Sequence, residues 1–593
     1  MSTTTTPLAP PKEPRDEGRM LGRLFGYIGG RGRRVKFWSA VGLRAISVVA
    51  LTSVPAFTGA AVNAMRSGDS AALHTWVIGA IVAVGAYALF AGFAEFMMTR
   101  LATNATMNLQ RDMFATMQRL SLNFFDRQPV GQLMSRVTND TESVATFNEN
   151  AVSQMMRGIF QVLLIVILMS VTNWRLTLAA LSVVPVLLLV GAVVTRAAGP
   201  AYTRLQEQLG DLSGFQEETI SGHRVLISTR RQDWAVHQHD LQAGEVFTTA
   251  SKATFTGLLQ FPATMAMTTI QMVVVLVVGG LLAAKGEADV GGVIAFVGLA
   301  GLLASPLSDL SNLATTTLSA IAAGRRVFEI VDDRPTVVDD PAAQPLTFTG
   351  GKVEFRDVDF SYVPGRQILR KNTFTALPGQ KIGICGPTGA GKSTIINILT
   401  RYYDVDAGEV LVDDQPLTAV TIGSLRANVG MVLQEAFLFS DTIMNNLRYA
   451  REGATESDCI AAAKEANAHE FIEALPDGYD TMLVERGANL SQGQRQMLTI
   501  ARAMVARPRI LILDEATSNV DTRTEKLIQE GLRRLMTGTT SFVIAHRLST
   551  ISDADSILVV DQGTIVQQGT HDDLLTQDGL YRNLWFSQFK GKA

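Results

Sequence analysis

The chain has 593 residues and a formal net charge of -3, with 47% hydrophobic and only 18% charged residues. That length exceeds one hydrophobic core and calls for two to four domains, while the near-neutral balance leaves no polybasic attraction to nucleic acid. Low charge beside high hydrophobicity points to a part of the chain in lipid, and the only two cysteines, Cys385 and Cys459, make no disulfide framework of the secreted kind.

The first thirty residues hold no apolar run long enough for a signal-peptide core, so the N-terminus is expected to stay in the cytoplasm. After the basic cluster RGRRVK at 31–36, apolar segments follow at about 37–64, 71–98, 153–172, 176–198, 258–284 and 290–314. Most reach the roughly 20 residues that a spanning helix needs, and they are apolar all round rather than along one stripe. Six spans are predicted. The positive-inside rule then puts the RGRRVK side, and with an even count the C-terminal third, in the cytoplasm. Two connections, 99–152 and 199–257, are long and helical in pattern. They read as extensions that leave the bilayer, turn back and transmit force to another domain. Two charges fall inside apolar spans, Arg44 in VGLRAISVV and Glu95 in AGFAEFMM. Intramembrane ionisable residues are functional candidates by default, and these two either pair with each other, meet water, or line a substrate path.

The expected organisation is an N-terminal segment 1–34, a transmembrane domain 35–325, a linker 326–350 containing TVVDDPAAQPLTFTGG, and a C-terminal domain 351–593. In the last of these, short strands such as KVEFRDVDFSY and KIGICG alternate with helical stretches, the mark of an α/β domain with a largely parallel sheet.

GPTGAGKST, Gly386 to Thr394, fits the phosphate-loop pattern, follows the strand KIGIC and precedes the helical TIINILTRYY. The residues Gly386, Pro387, Thr388, Gly389, Ala390 and Gly391 would wrap backbone N–H groups around phosphates; Lys392 would neutralise the β and γ charges and the Ser393 hydroxyl would sit on Mg²⁺, with Thr394 closing the motif. Downstream, four apolar residues, Ile510 to Leu513, deliver Asp514 and Glu515 at the end of a buried strand. Asp514 suits Mg²⁺ coordination, and Glu515 is the candidate general base for the attacking water. A third strand, TSFVIAH, ends in His546, a candidate γ-phosphate sensor. Farther up the chain, NLSQGQRQ opens a helix on Ser491, a good N-cap, with Gly493 letting an anion approach the positive helix end. With a phosphate loop already in the same domain, this second anion site makes sense for nucleotide held by a partner.

Residues 353–580 resemble the nucleotide-binding domain of ATP-binding cassette transporters, and the whole chain resembles an exporter-type half-transporter with its membrane domain first. Tyr362 in FSY resembles the aromatic that stacks on adenine, Gln434 in VLQEAFLF the glutamine that links Mg²⁺ to the membrane domain, and LSQGQ the family signature. SNVD, Ser518 to Asp521, matches the loop that communicates between two sites, while 124–140 and 212–226 are similar to the two intracellular coupling regions. The resemblance implies an all-α transmembrane domain of six helices with long cytoplasmic extensions, followed by an α/β P-loop ATPase domain. It implies ATP and Mg²⁺ as ligands, the ion held by Ser393, Gln434 and Asp514. It further implies a dimer in which Ser491, Gln492, Gly493 and Gln494 reach the partner's ATP, in a multi-pass protein of a bacterial-type cell membrane. The activity implied is ATP-driven export of amphipathic compounds or lipids; import on the same fold, for instance of a metal chelate, and an ATP-gated regulator that does not pump are the alternatives. Two departures bear on assembly. Gln492 stands where the signature usually has glycine, and SNVD replaces the usual S-A-L-D. Both look like the subunit of heterodimeric multidrug-type exporters that keeps its catalytic carboxylate, and a homodimer that tolerates the glutamine is the other possibility.

Overall fold

The computed structural model describes residues 15–28, 30, 33–514, 522–545 and 547–589. The chain divides into two compact units, one comprising residues 1–118 and 131–332, the other 119–130 and 333–593.

The first unit is helical. Its elements are α1 (Arg15–Ile28), α2 (Arg34–Ser67) and α3 (Ser70–Met117); then, after α4 of the second unit, α5 (Val130–Ser135), α6 (Thr141–Thr146) and α7 (Val152–Thr172), with two π-helical turns at Arg136–Asp140 and Phe147–Ala151. There follow α8 (Trp174–Leu181), α9 (Val184–Ser221), α10 (His223–Ser228), α11 (Gln232–Leu258), α12 (Gln260–Ala284), α13 (Val290–Gly301) and α14 (Ala304–Val331). Among the described residues, five helical stretches are long and apolar enough to cross a membrane: 34–67, 70–117, 130–172, 174–221 and 232–284. The sixth predicted span is present as a broken pair, the 12-residue α13 and then α14, parted at Leu302 and Leu303. Pro306 explains the break, because proline offers no N–H to the carbonyl four residues earlier. A similar interruption at Ser182 and Val183, just before Pro185, splits the fourth. The long extensions are visible in the 48 residues of α3, and α14 runs to Val331, past the start of the expected linker at 326.

Short turns between spans are written in local chemistry. Gly68 ends α2 in a left-handed conformation, φ 74°, its N–H returning to the last carbonyls, and Asp69 immediately caps α3 by accepting from the Ala72 N–H at 3.0 Å. Asn173 caps α8 and Asp289 caps α13 in the same way. Asp289 also takes a hydrogen bond from the Asn63 amide, and Asn63 Oδ1 accepts from the Gly291 N–H at 2.9 Å. Here α2 and α13 touch backbone to backbone: a Cβ added to Gly59 would lie 2.3 Å from the Gly291 carbonyl oxygen, and one on Gly291 2.1 Å from that of Gly59. Packing of membrane helices relies on such small residues, since apolar side chains gain nothing by leaving lipid for a helix interface.

The second unit contains α4 (Leu122–Arg127) and ten strands: β1 (Val353–Val363), β2 (Arg366–Ala376), β3 (Lys381–Cys385), β4 (Ala407–Val412), β5 (Gln415–Pro416), β6 (Val429–Val432), β7 (Ile510–Asp514), β8 (Thr540–Ile544), β9 (Ser556–Asp561) and β10 (Thr564–Gly569). An antiparallel sheet runs β2-β1-β4-β5, and a six-stranded sheet runs β10-β9-β3-β8-β7-β6, parallel except for the β9–β10 hairpin. The central strands are apolar without alternation because both faces are covered; Ile510, Leu511 and Ile512 are fully buried. Asp413 ties the start of this unit to its antiparallel sheet. Its carboxylate accepts from the N–H groups of Thr349, Gly350, Gly351 and Lys352 at 2.7–3.1 Å.

Candidate functional site

Because β3, β8, β7 and β6 are parallel and in register, their C-terminal ends share one sheet edge. Ile384 pairs with Ile544 on one side of β8, and Asp514 pairs with Ile544 on the other. That register brings together the phosphate loop after Cys385, the carboxylate of Asp514, and the chain just before residue 546. Topology alone thus assembles what the sequence separates by more than a hundred residues.

The loop itself is a turn that only glycine permits. Gly386 has φ 147°, and a Cβ there would meet the Val560 carbonyl oxygen at 2.0 Å; Gly391, φ 106°, has Leu369 at 2.9 Å. Gly389, φ 81°, faces open space. Successive left-handed and right-handed residues turn backbone N–H groups inward, which makes a concave anion site. Helix α15 (Lys392–Leu399) begins at once, adding its positive end. Lys392 is buried, and its ammonium donates to the carbonyls of Gly386 and Pro387, both at 2.9 Å, bridging the mouth of the loop. The turn at Gly563 steadies the assembly, its N–H donating to the Ala390 carbonyl at 3.0 Å. Ser393 is exposed at the first turn of α15, and Thr394 is buried.

Tyr362, at the end of β1, is fixed beside α15. Its hydroxyl donates to Thr394 Oγ1 at 3.2 Å and accepts from Asn397 at 3.0 Å, and its ring packs edge-on against Phe360 and Tyr403. Tyr403 in turn donates to Asp126 of α4; burial first, and then that bond, hold its phenol well above the ordinary tyrosine range. Gln434 lies exposed in the loop after β6. Cys385, the last residue before the loop, is 1% exposed, and burial pushes its thiol up to about 12, against the pull of Lys392.

The signature forms a separate helix start. Ser491 caps the helix Gln492–Ala506 in a capping box: its hydroxyl accepts from the Gln494 N–H at 3.2 Å, and the Gln494 side chain accepts from the Ser491 N–H at 2.9 Å. Ser491 and Gln492 are exposed while Gly493 is buried. Gln494 is therefore committed to building the helix end. Glu515, Ser518, Asp521 and His546 lie outside the described residues.

In the membrane unit, Arg44 and Glu95 form an ion pair, and Ser153 of α7 joins both: Arg44 donates to Ser153 Oγ at 2.7 Å, and Ser153 donates to Glu95 at 3.0 Å. A second pair escaped the sequence reading, Arg157 of α7 with Asp309 of α14 at 2.6 Å. Its signal was available as charges within QMMRGIFQV and SPLSDLS, the latter inside the predicted sixth span.

Comparison with known proteins agrees with this geometry. The model of the ABC transporter transmembrane region matches residues 38–307, and the model described as ABC transporter matches 369–518. An uncharacterized ABC transporter ATP-binding protein of Bacillus subtilis is 40% identical over 84% of this chain and 82% of its own length. The fatty acid ABC transporter ATP-binding/permease protein of Mycobacterium tuberculosis is 39% identical over 82% and 77%, and the ATP-dependent lipid A-core flippase of Syntrophus aciditrophicus 36% over 84% and 83%. The solved structure of a bacterial Atm1-family ABC exporter with ATP bound superposes with a TM-score of 0.78 at 30% identity, covering 94% of this chain and 98% of that one. An integral membrane unit fused to a nucleotide-binding P-loop unit, with relatives matching across both, makes this chain a member of the ATP-binding cassette transporters, an ATPase coupled to movement of a substrate across a membrane.

Proposed function

We propose that the chain is one half of a dimeric exporter of lipids or other amphipathic compounds, residing in a cell membrane with its nucleotide-binding unit in the cytoplasm. The observation that carries the dimer is the coexistence in one domain of a phosphate loop and an exposed, serine-capped helix start on a different element. Two copies arranged face to face give each helix start a phosphate to meet. A lipid-like cargo is supported by relatives named for fatty acid transport and lipid A-core flipping, and outward direction by the exporter of known structure.

In this reading Lys392 and the phosphate-loop amides bind the ATP phosphates, Tyr362 supports the adenine, Glu515 takes the proton of the attacking water, and His546 contacts the γ-phosphate. Ser393, Gln434 and Asp514 would hold Mg²⁺. A hydroxyl, an amide oxygen and a carboxylate form an all-oxygen donor set, the kind such a hard cation takes, and the ion would neutralise phosphate charge. ATP can drive the cycle because only the closed dimer offers both halves of each site, so the nucleotide binds that state more tightly. Gln492 favours a heterodimer in which this chain supplies the competent catalytic carboxylate. The test is Mg²⁺-dependent hydrolysis by the chain alone in lipid beside a Glu515→Gln control. Robust turnover from the single chain overturns the heterodimer in favour of a homodimer, whereas activity gained only with a second half-transporter supports it.

A further inference from the structure

Two of the spanning segments are interrupted beside a proline, and at each interruption a buried glutamine of another span reaches across. In the sixth, Pro306 has no N–H, so the Leu302 carbonyl has no donor four residues on. Gln161 of α7, 6% exposed, donates its Nε2 hydrogen to that same carbonyl at 3.0 Å. In the fourth, α8 stops at Leu181 and α9 begins at Val184, with Pro185 next. The Ala180 carbonyl, in the last turn of α8, accepts from Nε2 of Gln271 of α12 at 3.1 Å; Gln271 is 5% exposed.

A buried amide is an expensive way to fill space between apolar helices, where leucine packs without a polar cost. It becomes favourable where a backbone acceptor would otherwise face hydrocarbon, because no water replaces the missing donor. At Leu302 the glutamine replaces the donor that Pro306 lacks; in the fourth span Pro185 deprives Leu181, and Gln271 meets the carbonyl one residue earlier, Ala180, at the interruption itself. A side-chain donor differs from the backbone N–H it replaces: it sits on a rotatable arm and can follow the carbonyl as a helix bends, whereas the backbone bond defines the straight helix.

We propose that Gln161 and Gln271 are positioning residues of the transport cycle, supplying from neighbouring spans the donors that let the sixth and fourth spans bend at Leu302–Leu303 and Ser182–Val183 without stranding a carbonyl in lipid. The inference rests on the transport reading above. Arg157 lies one turn before Gln161 on α7 and pairs with Asp309 beyond the same break, so α7 holds the sixth span both at its bend and just past it.

The test uses the full chain in lipid, with its partner subunit if one is required for turnover. Spin labels at Val290→Cys and Leu318→Cys, both exposed, flank the sixth-span break, and the native Cys385 and Cys459 are buried and replaced by serine. Double electron–electron resonance is expected to show a shift in the label distance on adding Mg²⁺-ATP. Gln161→Leu should lower Tm and lose the shift. Adding Pro306→Ala to Gln161→Leu restores a backbone donor to Leu302; this double variant should recover Tm and still lack the shift, which separates bending from mere stability. Persistence of the shift in Gln161→Leu, its recovery in the double variant, or hydrolysis without any shift in the parent overturns the inference. Absence of Glu515-dependent hydrolysis in the parent would instead remove the transport reading.

Discussion

The two units solve opposite problems with the same residue types. In the nucleotide-binding unit, large apolar side chains fill the interior, Ile384, Ile512 and Phe542 among them. In the membrane unit, large side chains such as Leu89, Phe93, Leu163 and Leu189 face outward and more than half exposed, and the buried positions mix large apolar side chains such as Ile165, Met169 and Phe296 with alanine, serine, glutamine and even Arg44. Solvent decides the difference. Water pushes apolar surface inward and hydrates any polar group left outside; lipid rewards neither, so helices are held by close backbones and by polar groups that have nowhere else to go.

The comparison breaks most sharply on chemistry. Glu515→Gln should cut ATP turnover by about a hundredfold or more, the usual range for a lost general base, with an unchanged melting temperature, as read by phosphate release and thermal unfolding. The membrane unit should answer the other way. Glu95→Leu leaves the Arg44 guanidinium buried without its carboxylate and should destabilise the protein by about 3 kcal/mol, detected as a lower melting temperature in detergent. Gly291→Val forces apart the α2–α13 contact and should cost about 2 kcal/mol, as overpacking does, by the same measurement.

In the nucleotide-binding unit the matching experiment is Asp413→Ala, which takes the carboxylate from four backbone N–H groups and should cost about 1.5–2 kcal/mol, the low end of the usual worth of charge-assisted bonds. Burial alone would raise the Asp413 carboxyl, but the four donors overcome it and hold the group below the ordinary carboxylate range. Its stabilisation is therefore complete above the unfolded value of about 3.9 and is lost as pH falls through the lower folded value. Acid titration of Asp413→Ala should show a shallower loss of stability in that window than the parent. The smallest effect belongs to Cys385. With its thiol raised to about 12 and shut in, a maleimide at neutral pH should label it only after unfolding and leave hydrolysis unchanged.

Legibility in the sequence followed the same division. The phosphate loop, the strand ending at Asp514 and the capped helix at Ser491 are each local patterns of a few residues, and the parallel register then gathers the strand ends without further instruction. Spanning segments were likewise readable from apolar length. Their breaks were less so, because a hydropathy window averages over Pro185 and Pro306, although each proline states that one carbonyl must look elsewhere. Which side chain reaches the break is not local at all: Gln161 lies 141 residues from Leu302, the carbonyl that Pro306 deprives, and Gln271 lies 91 from Ala180, the neighbour of the Leu181 carbonyl that Pro185 deprives. The pairing of Arg44 with Glu95 was foreseeable as one option, but the bridging Ser153 was not, since a serine in an apolar run carries no mark of its partners.

The two π-helical turns before α7, Arg136–Asp140 and Phe147–Ala151, bear on how this chain tolerates changes of length. A π turn holds one residue more than the α turn it replaces, and each residue of an α-helix advances by about 100°. Removing one residue from either segment can therefore be absorbed as a return to α geometry, with the chain on both sides keeping its rotational phase. The same deletion inside α7 would swing Ser153, Arg157 and Gln161 out of line with their partners. Single-residue gaps should be silent in the π turns and ruinous a few residues later, so a deletion scan would trace the phase-sensitive part of the helix directly.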